Sequence, residues 1–254
     1  MLALIRLVLL VLFIIIASTI GLLICLVRPF HRDNVGLFSH WYGKACWIFG
    51  VKVEIRQPAA VTEAMPCVFV ANHQNNYDLF TISGALISGT VTIGKKSLKF
   101  IPFFGQLYWL SGNILIDRKN KNRAVGAMQG AVERINKDKV SVWVFPEGTR
   151  SYGRGLLPFK TGAFHIAQQA GVPVVPICMS TTQGKINLNR WNNGTIIIEF
   201  LPPLSPEDFA VPVREVAQQV RSLMEQKIAA LDSELASDYT AATSTSTSTS
   251  SGKS

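Results

Sequence analysis

His73 is followed five positions later by Asp78 in the run ANHQNNYD, residues 71–78, directly after the apolar segment CVFV. A histidine placed to pack belongs more often inside such an apolar run than just past its end among amides. A carboxylate beside one imidazole nitrogen fixes the tautomer and leaves the other nitrogen free to take a proton near neutral pH. The pair is therefore read as a general base acting on a hydroxyl, although a histidine with an aspartate five residues on also arises by chance. The chain has no G-x-S-x-G elbow, and its cysteines offer no obvious nucleophile. The hydroxyl is expected to arrive with a substrate, so transfer is direct, without a covalent enzyme intermediate.

Candidate phosphate ligands strengthen this reading. In FPEGTRS, residues 145–151, Gly148 permits a tight turn, Arg150 supplies a bidentate fork, Thr149 adds a hydroxyl, and Glu147 precedes them. Arg118 ends GNILIDR directly after a strand-like run, and Lys160 stands at the start of an expected helix in LPFKTGAFHIA, where free amides favour an anion. Each of these alone is equally a solvated surface residue. Two look-alikes are set aside. GTVTIGKKS places Lys96 where a P-loop needs a hydroxyl, and YGRGLLP places Pro158 where a dinucleotide fingerprint needs its last glycine.

The elements that must position these residues are short β-rich runs alternating with helical stretches. VKVEIR, CVFVA, TVTIG, ILID, VSVWVF, VPVVPICM and GTIIIEF read as strands, and residues 119–137 and 161–170 as helices. The expected fold class is α/β, a largely parallel or mixed sheet flanked by helices. His73 and the PEGTR turn both fall just past strands, where open α/β sheets bind ligands.

Length and composition set the bounds. The 254 residues are 48% apolar, ample for a core, and 25 Lys and Arg against 16 Asp and Glu give a net charge of +9. The partners are expected to be anionic: nucleic acid, a phospholipid surface or phosphorylated small molecules. Cys25, Cys46, Cys67 and Cys178 are widely spaced among apolar neighbours, which points to buried reduced thiols and to no metal site. Leu7 to Val27 is an uncharged run between Arg6 and Arg28, long enough at about 1.5 Å per residue to match a hydrocarbon core of about 30 Å. It is read as a membrane anchor, either spanning or lying in one leaflet. The positive charges beyond it (Arg28, Arg32, Lys44) place the rest of the chain in the cytoplasm. The aromatic stretch NVGLFSHWYGKACWIFG is expected to be a second helix at the membrane interface. Residues 207–236 read as an amphipathic helix, and the Ser/Thr-rich end as disordered. The expected division is thus 1–50 anchoring and interfacial helices, 51–238 an α/β domain, and 239–254 a tail.

His73 with Asp78, GNILIDR, FPEGTRS and VPVVPI occur in the order and approximate spacing of the four motifs of the glycerolipid acyltransferase family, which the chain resembles from the anchor to about residue 230. GKKSLKFIPFFGQLYWLSGNILIDR and GRGLLPFKTGAF extend the likeness, while Asn75 and Leu115 depart from the family's usual serine and phenylalanine. The resemblance implies transfer of a fatty acyl group from acyl-CoA or acyl carrier protein to the 2-hydroxyl of lysophosphatidate, giving phosphatidate. It implies His73 as base, Asp78 as its orienting carboxylate, and Arg118 with Glu147 to Arg150 as acceptor-binding residues. Lys95 and Lys96 are weaker candidates for stabilising the oxyanion. It implies no cofactor beyond the thioester co-substrate. The expected location is a bacterial inner membrane, catalytic domain toward the cytoplasm. A non-catalytic lipid-binding protein and a phospholipid or thioester hydrolase remain as alternatives.

Overall fold

The computed structural model describes residues 1–117, 120–209 and 211–248. The seven runs rich in Val and Ile become β1 (Lys52–Arg56), β2 (Val68–Ala71), β3 (Thr90–Lys95), β4 (Ile114–Ile116), β5 (Ser141–Val144), β6 (Val174–Met179) and β7 (Thr195–Phe200). They join in one sheet in the order β1-β7-β6-β2-β5-β3-β4. Every neighbouring pair is parallel except β6 with β7. The sheet is therefore mixed, within the expected class. β2 and β6 are buried along their whole length, which is why they read as unbroken apolar runs and not as alternation.

Among the described residues, eight α-helices accompany the sheet: α1 (Leu2–Val27), α2 (Asn34–Lys44), α3 (Ala59–Glu63), α4 (Asp78–Thr81), α5 (Phe104–Leu110), α6 (Lys121–Asp138), α7 (Gly162–Ala170) and α8 (Val213–Ser248). α6, α7 and α8 pack in series and rest on β2, β4, β5 and β6, whereas α2 packs on α4 and β3. α6 starts cleanly because the Asn120 side chain accepts from the Arg123 amide at 3.1 Å. α8 is held over the sheet by polar ties: Arg56 pairs with Glu234, Lys227 with Glu199, and Asp232 accepts from Thr181. This helix continues to Ser248, past the expected end of structure near 238. The added residues are mostly Ser and Thr, which are poor helix formers, but extending an existing helix costs little beside nucleating one.

α1 lies along the protein. Ala17, Ser18, Gly21 and Cys25 are buried, with Leu10, Phe13 and Ile14 partly covered, a spacing of three and four that marks one inward face. Gly21 lets α5 approach closely: a Cβ would come within 2.8 Å of a Leu107 methyl, which would have to shift. Arg6, expected to flank a membrane span, is instead buried in the protein. Its guanidinium donates to the carbonyls of Leu188, Arg190 and Trp191 at 3.1, 2.6 and 3.0 Å. The Ala3 amide adds a bond to Asn189 Oδ1 at 3.0 Å. The outward stripe of Leu, Ile and Val from Leu4 to Val27 stays exposed.

The second aromatic helix departs from expectation. Phe38, Tyr42 and Phe49 face inward and are almost fully buried, and of the aromatics in that stretch Trp47 is the large exposed one. Tyr42 packs its ring against Phe13, Phe80 and Phe104, and its hydroxyl meets Ser18 Oγ at 2.9 Å. Aromatic density alone does not distinguish a membrane interface from a helix-on-helix core. All four cysteines are free and buried, as expected.

Candidate active site

β2 and β5 are parallel neighbours with Val70 opposite Val144, so the residues after each emerge side by side at the same end of the sheet. After β2 come Asn72 and His73, and after β5 come Phe145, Pro146 and Glu147. Asn72 closes the other side, donating to the Met179 carbonyl at 2.9 Å and accepting from the Met179 amide at 2.8 Å. Its side-chain amide extends the ladder to β6 where the strand itself has ended. Gln74 and Asn75 continue the lacing, bonding Ser180 and Thr182. The amide run is thus a scaffold.

On this scaffold His73 Nδ1 donates to Asp78 Oδ2 at 2.6 Å. The same oxygen accepts the backbone amides of Gln74 and Asn75 at 2.6 and 3.2 Å. Asp78 is buried at the first turn of α4, while the His73 side chain is 20% exposed. A proton on Nδ1 leaves Nε2 as the basic nitrogen. The imidazole also lies against the Phe145 ring, centroids 4.2 Å apart. Sequence reasoning missed this contact, which depends on the pairing of β2 with β5.

Glu147 is buried and grips two backbone amides. Oε1 accepts from His73 N at 2.7 Å and Oε2 from Leu157 N at 3.0 Å. Burial pushes its carboxyl upward, and the two amides pull it part of the way back. The family resemblance implies that Glu147 positions neighbouring groups, Arg118 among them; Arg118 lies outside the described residues. The groups that Glu147 holds here are the histidine's own backbone and the loop beyond the turn. Two further bonds fasten that loop, Ser151 N to His73 O at 2.9 Å and Tyr152 N to Gln74 O at 2.8 Å.

Gly148 takes φ +68, and a Cβ at that position would meet Lys160 Nζ at 2.8 Å. The positive φ makes glycine the fitting residue for this turn, with the Lys160 ammonium group close over it. The Lys160 amide bonds the Pro146 carbonyl at 2.9 Å, which ties the start of α7 to the same turn. Thr149 is exposed. Arg150 is half-buried, with Nη1 3.3 Å from the Tyr152 hydroxyl. Its Nε is buried without a hydrogen-bond partner among the described residues. Lys95 is exposed at the end of β3, two strands from β2. His73, Asp78, Glu147, Gly148, Arg150 and Lys160 are thereby brought to one end of the sheet, around one exposed imidazole nitrogen and several cations.

A separate cavity of about 450 Å³ stands beside the ends of β3 and β4, lined by Lys96, Lys99, Trp109, Leu115, Asp117 and Arg123 among others. Its walls do not include His73. Among the described residues no cluster of His, Cys, Asp and Glu could hold a metal.

Residues 52–180, which contain all of this machinery, match the family model described as Acyltransferase. Over 237 residues the chain is 51% identical to the 1-acyl-sn-glycerol-3-phosphate acyltransferase of Escherichia coli strain K12, covering 93% of this chain and 97% of that protein. It is 46% identical to the enzyme of the same name from Haemophilus influenzae, covering 93% and 99%. Its fold is similar to the crystal structure of the 1-acyl-sn-glycerophosphate acyltransferase of Thermotoga maritima, with TM-score 0.73, 25% identity, and coverage of 91% of this chain and 94% of that one. With the motifs in place at the ends of β2 and β5, the chain belongs to the acyltransferase family.

Proposed function

We propose that this enzyme acylates lysophosphatidate to phosphatidate, drawing the acyl group from acyl-CoA or acyl carrier protein. The names of the relatives support the acceptor. The observation that carries the chemistry is the 2.6 Å bond from His73 Nδ1 to the buried Asp78 carboxylate. His73 Nε2 takes the proton of the acceptor's 2-hydroxyl as its oxygen attacks the thioester carbonyl. The tetrahedral intermediate then collapses, the carbon–sulfur bond breaks, and the departing thiolate recovers the proton from the imidazolium. Asp78 holds the ring and balances its charge meanwhile. Arg150 and Lys160, with Arg118 as the family motif implies, bind the acceptor phosphate; Glu147, Gly148 and Thr149 shape the turn that presents them. Lys95, exposed where β3 finishes at the same end of the sheet, is the candidate for stabilising the oxyanion.

The acceptor is a bilayer lipid, and the outward stripe of α1 is suited to meet it there. α1 is tied to the protein near both ends, by Arg6 and by Gly21 against Leu107, which favours a helix lying in one leaflet over one standing across the bilayer. The cytoplasmic face of a bacterial inner membrane is the proposed location. Incubating the purified chain with labelled acyl-CoA, with and without lysophosphatidate, tests the reading. Acceptor-dependent phosphatidate is expected, and acceptor-independent free fatty acid would indicate a hydrolase instead.

A further inference from the structure

Outside α1, the densest exposed apolar surface lies between β3 and the end of α5. Phe100 is 71% exposed, Trp109 50%, Phe103 46% and Ile101 44%. Water-soluble surfaces rarely carry so many large apolar groups close together without a partner. The backbone holds this arrangement firmly. Phe103 adopts φ 62, a conformation side chains seldom take, and Gly105 stands nearby where a Cβ would collide with the Leu98 carbonyl. The folded turn leaves no inward route for these side chains.

Two further observations identify the partner. Lys95, Lys96 and Lys99 are exposed beside the same residues, and Lys99 Nζ sits 5.0 Å from the Phe100 ring centroid. A basic rim around aromatic and aliphatic groups matches an anionic headgroup layer over acyl chains. The patch also continues the outward stripe of α1, since α5 packs on α1 through Leu107 and Phe30 meets Trp109 edge-on at 5.5 Å. We propose that residues 96–109 are a second bilayer contact, distinct from α1 and selective for anionic lipid. The 450 Å³ cavity lined by Lys96, Lys99 and Trp109 then opens against the headgroup layer, on the side from which a lipid would leave the bilayer.

The proposal rests on the reading that α1 lies in a bilayer, and site-specific labelling separates the two. The native thiols are buried, so a thiol-reactive fluorophore reports an introduced cysteine. The probes are Phe100→Cys on the patch, Leu23→Cys on the α1 stripe and Gln219→Cys on the exposed face of α8, each in the full-length chain on phosphatidylcholine–phosphatidylglycerol vesicles. Quenching of the label at 100 by lipid-borne nitroxide, with shielding from iodide and the reverse pattern at 219, is the expected result. Iodide access at 100 with lipid quenching at 23 would overturn this proposal and leave the anchor standing. Iodide access at 23 would remove the bilayer reading beneath it. Shielding at 100 from both quenchers would show that a protein surface or a second copy covers the patch, and would also overturn the proposal. Lys99→Gln should lower the ratio of inserted to water-exposed label about fivefold on anionic vesicles and leave it unchanged on phosphatidylcholine alone. An unchanged ratio on both would overturn the selectivity for anionic lipid.

Discussion

The imidazole of His73 lies nearly flat on the ring of Phe145, with planes 17° apart. That stack and the bond to Asp78 hold the histidine by its face and by its edge, so Nε2 keeps one direction before any substrate arrives. His73→Ala should abolish acyl transfer with folding intact, as read by turnover and by circular dichroism. Asp78→Asn should lower kcat by a smaller factor. Phe145→Leu keeps the bulk but not the flat platform, and should cost about 0.5–1.5 kcal/mol in kcat/KM.

Glu147 ties the loop after β2 to the loop beyond its own turn through two backbone amides. Glu147→Gln keeps one acceptor but turns an NH2 against the other amide, a loss of about 1–3 kcal/mol. Activity should fall although the substitution is nearly isosteric. The pH dependence has a definite sign. Burial raises this carboxyl above the ordinary 4.5, so the folded state binds the proton more readily than the unfolded one. The stability it contributes is full below the ordinary value and is lost as pH rises through the raised native value. Unfolding curves taken upward from that range should show this decline in the wild type, and Glu147→Gln should lack it.

Arg150 tests recognition of the phosphate against general charge. Arg150→Lys keeps the charge and removes the fork, and should weaken use of lysophosphatidate by about 1.5–3 kcal/mol if one charge-assisted bond is lost. With monoacylglycerol, which has the hydroxyl but no phosphate, the same variant should differ little from wild type. Comparable losses on both acceptors would mean that Arg150 supports the turn itself.

Arg6 neutralises the inward carbonyls of residues 188, 190 and 191. Arg6→Met should destabilise the chain by about 1 kcal/mol or more, because part-buried carbonyls lose a charged donor. Thermal unfolding in detergent measures this, and an unchanged midpoint would show that the clamp adds nothing.

The buried thiols should be inert in the native protein. Burial pushes Cys46, Cys67 and Cys178 up to about 12, far from the thiolate form that alkylating reagents need. Mass spectrometry after treatment with iodoacetamide at neutral pH should find these three unmodified until denaturant is added.

Each of the seven strands was legible as a β-branched run: β2 and β6, buried throughout, leave a continuous apolar signature, whereas β1 and β4 are only partly covered and were marked by their Val and Ile residues alone. The strand order was not, since the placing of β7 between β1 and β6 depends on pairings far apart in the chain. His73 and Asp78 could be read together because a turn of five residues brings them into contact. Phe145 and Glu147, more than seventy positions from His73, could be joined to it only by the lateral pairing of β2 with β5. The aromatic helix after α1 misled for a different reason. Tyr42 and Phe38 have the composition of an interfacial belt, and only the presence of α1 and α5 over them makes that surface an interior.

The clamp on Arg6 also orders events during synthesis. The Arg6 end of α1 is fixed by residues 187–191, more than 180 positions later, and β1 waits in the same way for β7. At about 5–20 residues per second, roughly 10–40 s separate Arg6 from its acceptors and roughly 7–30 s separate β1 from β7. Within that interval α2 and α5, made earlier, can already cover the inward face of α1, while the Arg6 charge still lacks its carbonyls. The helical cover of α1 is thus built from neighbours early in the chain, whereas the Arg6 clamp and the β1 edge of the sheet close only once the residues around β7 are made.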